Sequence, residues 1–147
     1  MNTAIPSPAN MWLLYAILSA IFASATAVLI KVGVRDVDSN LATAIRTSVV
    51  LLLSWGIVWF SGAFAQIKAI PKFSWTFLIL SGVATGLSWL CYFKALQLGD
   101  LSKVAPIDKL SVALTILFAI FFLGETVDLK TIIGASVILV GVGILIF

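Results

Sequence analysis

Asp108 is a charged residue inside a long apolar stretch of this chain, and it is the first candidate for chemistry. At about 100° per residue along a helix, Asp108 shares one face with Ser111 and Thr115, while Lys109 points about 100° away. An inward carboxylate could pair with a cation and yield that cation to an incoming carboxylate or phosphate. It could instead accept a proton, because burial favours the neutral acid. Both roles make Asp108 a predicted substrate-binding residue.

Two cations from other parts of the chain are candidate partners for Asp108. Arg46 lies about six residues, or roughly 9 Å, inside its predicted helix. An unpaired charge at that depth costs roughly a few kcal/mol in lipid, so an inward Arg46 with a partner is favoured over one that extends to the membrane surface. Lys31 shares a face with small residues and would also point inward. Because it lies near a helix end, extension to the interface is an equal alternative for Lys31.

A polar face on the preceding helix completes the predicted site. Ser81, Thr85, Ser88 and Tyr92 follow each other at helical spacings, and Trp89 lies beside this face, where it and Tyr92 could form aromatic walls. The alternative is that these polar side chains only hold helices together, each contributing under about 1 kcal/mol to stability. The predicted substrate-binding residues are Lys31, Arg46, Ser88, Trp89, Tyr92, Asp108, Ser111 and Thr115.

The composition decides which elements position these residues. The 147 residues are 62% hydrophobic and only 10% charged, with a mean hydropathy of +1.20. A soluble domain carries about 25% charged residues, and about 20 apolar residues span a bilayer as a helix. We predict an all-α membrane protein with five transmembrane helices in one transmembrane domain over residues 1–147, located as a multi-pass protein in the inner or plasma membrane. The predicted helices are about 12–34, 41–60, 75–98, 104–123 and 131–147.

Helix ends and packing faces follow from local patterns. Ser39 or Asn40 is predicted to cap the second helix, and a loop is predicted over residues 61–73. Small residues allow close helix packing in lipid. Packing faces are therefore predicted along the first helix, at Gly82 with Gly86, and at Gly134 with Gly141. Residues 1–10 are predicted to form a short polar leader. They contain no Lys or Arg, which disfavours a cleavable signal peptide.

Several function classes are disfavoured by what the sequence lacks. With no His and a single cysteine, Cys91, the chain has neither the usual zinc motifs nor an internal disulfide, and we expect no cofactor and no metal. No second carboxylate lies level with Asp108, so an acid–base enzyme is not expected. The nine basic residues are scattered at segment ends, so nucleic-acid binding is not expected either.

The basic residues do not fix one orientation in the membrane. In a five-helix chain the loops alternate between two sides. One side has Lys31, Arg35, Arg46, Lys94, Lys103 and Lys109, and the other has Lys68, Lys72 and Lys130. The positive-inside rule places the first of these sides in the cytoplasm, but leaving out the cations within helices reverses the balance. So weak a bias permits insertion in both orientations.

The stretch ALQLGDLSKVAPIDKLSVALT and the FLGE that follows resemble the drug/metabolite transporter superfamily, and more closely its EamA-type transporters. The Lys-Val-Gly at residues 31–33, the start of the second helix at residues 40–47 and the Gly134…Gly141 spacing extend the resemblance over essentially the whole chain. Most family members have ten helices in two inverted repeats. This chain is similar to the short members that hold one five-helix repeat.

What the resemblance implies is alternating-access transport of a small metabolite or drug, with the site at the interface between repeats. One repeat cannot enclose that site alone. The expected partners are therefore a small-molecule substrate, the lipid bilayer and a second, oppositely inserted copy in an antiparallel homodimer. Pairing with a different half-size subunit stays open. The alternative function is a non-transporting membrane subunit that stabilises or positions a partner complex.

Overall fold

The computed structural model describes residues 8–146, with the side chains of residues 11–146, and every regular element in that range is helical. Five segments are long and apolar enough to cross a membrane, which confirms the predicted all-α, five-helix fold. The elements in order are α1 (Pro8–Gly33), α2 (Ser39–Phe60), a 3₁₀ helix (Ala63–Ala69), α3 (Lys72–Leu98), α4 (Leu101–Asp108), α5 (Leu110–Leu123) and α6 (Leu129–Ile146).

Each of the five spans begins two to four residues before its predicted start, and two further segments differ from the sequence prediction. The predicted 61–73 loop contains the 3₁₀ helix, whose Phe64 ring lies 5.9 Å from that of Trp55 and 6.1 Å from that of Trp59 on α2. These contacts join residues nine and five positions apart, and they depend on the packing of aromatic rings, which turn signals do not report. Most of the predicted leader lies outside the described residues, and its last three residues, 8–10, belong to α1.

The cap of α2 is Asp38, not Ser39 or Asn40 as predicted. The Asp38 carboxylate accepts hydrogen bonds from the backbone N–H of Asn40 at 2.9 Å and of Leu41 at 3.1 Å. Aspartate is among the strongest capping residues, and it satisfies donors that the first turn of a helix leaves free. The predicted end of the fourth span at Gly124 is confirmed, because α5 ends at Leu123 and Gly124 adopts a φ of 66°.

The fourth span is interrupted where α4 meets α5. Pro106 has no backbone N–H, and its ring clashes with the carbonyl one turn earlier in a regular helix. The backbone tightens after it: the Lys109 N–H bonds the Pro106 carbonyl at 2.9 Å, and the Val112 N–H bonds the Lys109 carbonyl at 3.0 Å. Both bonds reach back three residues rather than four. The charged residues of this span therefore lie at a break in the helix.

The buried core lies at one end of the bundle. Ile30 and Val34 from the end of α1 pack with Phe93 and Leu96 from the end of α3, and partly buried residues of α2 and α4 lie against them. Along the other half of the bundle, most large hydrophobic side chains are exposed. Near the packed end, α3 contacts α2, and α1 contacts both α3 and α4. This end positions the candidate site.

Candidate functional site

A cavity of about 380 Å³ lies beside the packed end, where α1, α2, α3 and the α4–α5 break meet. Six of the eight residues predicted for substrate binding line it: Arg46, Ser88, Trp89, Tyr92, Asp108 and Ser111. Lys109 and apolar residues of α1 complete the wall, together with Phe93. The structure thus brings together side chains that are up to 65 residues apart in the chain.

Arg46 is the central cation of this cavity. Its guanidinium carbon lies 4.1 Å from the centroid of the Trp89 ring and 5.8 Å from that of Phe93. A guanidinium over an aromatic face is attracted by the ring's quadrupole, by about 0.5–2 kcal/mol depending on burial. Its Nη1 atom is buried and has no hydrogen-bond partner among the described residues. The stacking holds the charge in place while one donor atom stays free for an acceptor.

Asp108 has a different partner from the one that the sequence predicts. Its Oδ2 lies 3.3 Å from Nζ of Lys109, and this is the one salt bridge within residues 8–146. The predicted pairing with Arg46 or Lys31 is not made. The two residues are adjacent in the chain at the helix break, and the Lys109 side chain is long enough to reach its neighbour's carboxylate. Since both side chains are about half exposed, such a pair contributes about 0–1 kcal/mol.

Lys31 closes the end of the bundle and does not line this cavity. Its ammonium donates to the carbonyl of Leu96 at 2.8 Å and to that of Gly99 at 2.7 Å. The last carbonyls of a helix lack partners within it and carry partial negative charge, so they attract a cation. Lys31 points inward, which was one of the two orientations considered from the sequence. Its partner is the end of α3, however, and not Asp108.

Thr115 is the second predicted residue absent from the cavity wall. It lies seven residues beyond Asp108, or roughly 10 Å along the helix axis, although it shares the same helical phase. A prediction from helical phase alone, without the distance along the axis, therefore placed the site too far into the bundle. Lys109 and Phe93, conversely, were not predicted. Pro106, three residues before Lys109, was a sequence signal that the helix breaks near Lys109. Nothing in the sequence pattern distinguished Phe93 from a lipid-facing residue.

A second cavity of about 380 Å³ lies between α1 and α2 and is mainly apolar. Four residues line both cavities: Thr26, Ile30, Arg46 and Phe93. Arg46 therefore lies at the boundary between an apolar space and a polar one. Within the described part of the chain, no cluster of three or more acidic, histidine or cysteine residues could hold a metal. The arrangement offers a cationic N–H donor to an anion, and it contains polar and aromatic side chains that could orient a small molecule.

Comparison with known proteins identifies the family. The EamA-like transporter family matches residues 10–147. The chain belongs to this family. A relative from Sinorhizobium sp., called "Uncharacterized transporter in cobO 3'region", is 48% identical over 130 residues, which cover 88% of this chain and 92% of the relative. An uncharacterized protein of Methanocaldococcus jannaschii is 34% identical over 67 residues, covering 46% of this chain and 49% of that protein. No solved structure matches the chain.

Family membership and the five apolar helices define the protein's setting. The chain is a multi-pass membrane protein of the plasma membrane. The EamA assignment and the transporter-named relative support a membrane transporter rather than an enzyme, and membership implies a small-molecule substrate and a bilayer. The predicted resemblance to EamA-type transporters is confirmed.

Proposed function

We propose that this EamA-type protein is a secondary transporter that moves a small metabolite or drug by alternating access and works as an antiparallel homodimer. The observation that carries the proposal is the cavity around Arg46. It combines a cation held against an aromatic ring, an ion pair and aromatic walls among apolar helices, and charged residues within such helices usually mark substrate or ion pathways. Substrate sites of small molecules have this mixture of apolar walls and a few polar groups.

The closed end of the bundle supports alternating access. The core cluster of Ile30, Val34, Phe93 and Leu96 and the hydrogen bonds of Lys31 lie between the cavity and the loops on that side. Toward the other side, large hydrophobic side chains are mostly exposed. A cavity closed on one side and open on the other is the arrangement that one step of alternating access requires.

The unpacked surface supports a second copy. The chain exposes 11792 Å², whereas a compact monomer of 15.7 kDa exposes about 7,300 Å². The glycine faces predicted for close helix packing make no such contact within the chain: a Cβ added at Gly82, Gly86, Gly134 or Gly141 would meet no atom within 4 Å. A second copy inserted in the opposite orientation would cover such faces, and the weak charge bias of the loops permits it.

Transport by the purified protein in liposomes tests the proposal. Vesicles are loaded with unlabelled organic acids or amino acids, and counterflow of the labelled compound is measured for the wild type, Arg46→Gln and Arg35→Gln. Arg35 is an exposed arginine outside the cavity, so its variant is the matched control. We expect counterflow in the wild type and the control and its loss in Arg46→Gln. Absence of counterflow for all three proteins would favour the non-transporting subunit instead.

Asp108 has a separate test. Asp108→Asn removes the carboxylate with little change in size, and the exposed pair that it breaks contributes little to stability. We expect uptake driven by a pH gradient to be abolished while expression stays intact. Uptake that is unchanged in this variant would contradict a proton-coupling role for Asp108.

A further inference from the structure

The three cations near the cavity are not equivalent, because two of them already have acceptors. Lys31 bonds two carbonyls at the end of α3, and Lys109 bonds Asp108. Arg46 alone has a buried donor atom, Nη1, without a hydrogen-bond partner among the described residues. A buried charged donor without an acceptor is costly, so its retention in a cavity indicates that an acceptor arrives with a ligand.

We propose that the cavity binds an organic carboxylate, with one carboxylate oxygen accepting a hydrogen bond from Arg46 Nη1. The charges of the wall favour a monoanion: Arg46 and Lys109 are positive and Asp108 is negative, so one added negative charge makes the occupied site neutral. A dianion such as hydrogenphosphate would leave an excess negative charge beside Asp108. Transport of the bound anion rests on the proposed function. Binding of the anion rests only on the geometry of the cavity.

The stacking of Arg46 on Trp89 orients the interaction. The ring centroid lies 4.1 Å from the guanidinium carbon, and Nη1 of the same guanidinium has no hydrogen-bond partner among the described residues, so this N–H remains for an acceptor. The planar fork of arginine matches the planar carboxylate group. Ile30, Tyr92 and Phe93 supply apolar and aromatic surface in the same cavity. The ligand class is therefore a carboxylate with a small apolar or aromatic body.

Trp89 can report binding directly. A single-tryptophan protein retains Trp89 and carries phenylalanine at the four other tryptophan positions, which are Trp12, Trp55, Trp59 and Trp75. Its fluorescence in detergent is titrated with sodium benzoate, with benzamide as the neutral analogue, and with sodium phosphate, each against sodium chloride at equal ionic strength. The same titrations use Arg46→Gln, Arg46→Lys and the control Arg35→Gln.

We expect a saturable change with benzoate, a Kd at least about tenfold weaker for benzamide, and intermediate binding in Arg46→Lys. A charge-assisted hydrogen bond corresponds to about 10- to 100-fold in affinity, so Arg46→Gln should weaken benzoate binding by that factor, while Arg35→Gln should not. Equal binding of benzoate and benzamide would overturn the proposal, and this comparison holds even if Arg46→Gln does not fold. Phosphate bound more tightly than benzoate would overturn the carboxylate assignment.

Counterflow measured with the same probes separates this inference from the proposed function. Benzoate that binds through Arg46 without being transported would overturn the transporter proposal and leave the carboxylate site standing. Counterflow of neutral compounds with no Arg46-dependent binding of benzoate would overturn the carboxylate site and leave the transporter proposal standing.

Discussion

Replacing Lys31 with methionine tests whether this residue holds the closed end of the bundle together. Its two hydrogen bonds, at 2.8 and 2.7 Å, join α1 to the last carbonyls of α3 and to the turn before α4. A hydrogen bond with a charged donor contributes about 1.5–3 kcal/mol in soluble proteins, and interhelical polar contacts in membranes average about 0.6 kcal/mol. Two bonds therefore correspond to about 1–6 kcal/mol. Because Lys31 is only partly buried, we expect Lys31→Met to lower the free energy of unfolding by about 2–3 kcal/mol.

Reversible unfolding in mixed micelles of detergent and dodecyl sulfate measures this difference. The matched control is Lys94→Met, because Lys94 is exposed and bonds only the side chain of Gln97, at 3.1 Å. We expect the control to stay within about 0.5 kcal/mol of the wild type. If Lys31→Met is as stable as Lys94→Met, the stabilising role of Lys31 is wrong.

The same variant distinguishes a structural role from substrate binding. Since Lys31 does not line the cavity around Arg46, folded Lys31→Met should bind benzoate within about threefold of the wild type. If Lys31→Met has normal stability but loses as much benzoate binding as Arg46→Gln, Lys31 is a substrate-binding residue, as the sequence predicted.

Three further predictions follow from the ends of helices. Asp38→Ala should lower the free energy of unfolding by about 1 kcal/mol because it removes the cap of α2, whereas Asp36→Ala in the same loop should have little effect. Hydrogen bonds from the side chain and backbone of Thr131 lower the pKa of the Asp128 carboxyl below its usual range. The stability that these hydrogen bonds give is therefore present above the unfolded-state pKa of Asp128. It is lost as the pH falls through the folded-state pKa. NMR titration should show that pKa rise in Thr131→Val, and an unchanged pKa would contradict the assignment. Gly124→Ala should destabilise by about 1 kcal/mol through its positive φ alone, since a Cβ there meets no atom, and a neutral result would refute that.

Helix number, helix type and the polar side of each helix were predictable because they depend on local patterns. Apolar length determines the spans, and a 3.6-residue period assigns Ser88, Tyr92, Asp108 and Ser111 to faces that meet in one cavity. Arg46 was correctly expected to point inward, because lipid penalises a charge at that depth.

Pairing between charges was not predictable, because it depends on distances of a few ångströms between helices. Lys31 and Asp108 were expected to be near each other on the basis of sign and depth. The carbonyls at the end of α3 instead accept hydrogen bonds from Lys31, and the adjacent Lys109 pairs with Asp108. Backbone acceptors and helix breaks do not appear in a helical-phase count, so the partners predicted for Lys31 and Asp108 were wrong.

The orientation of the two termini in intact cells tests most directly whether two inverted copies form the transporter. Tags at each end of the full chain are probed with a reagent that cannot cross the membrane, before and after permeabilisation. An antiparallel homodimer predicts that each terminus is found on both sides of the membrane in comparable amounts. A single fixed orientation for all copies would contradict the inverted pair.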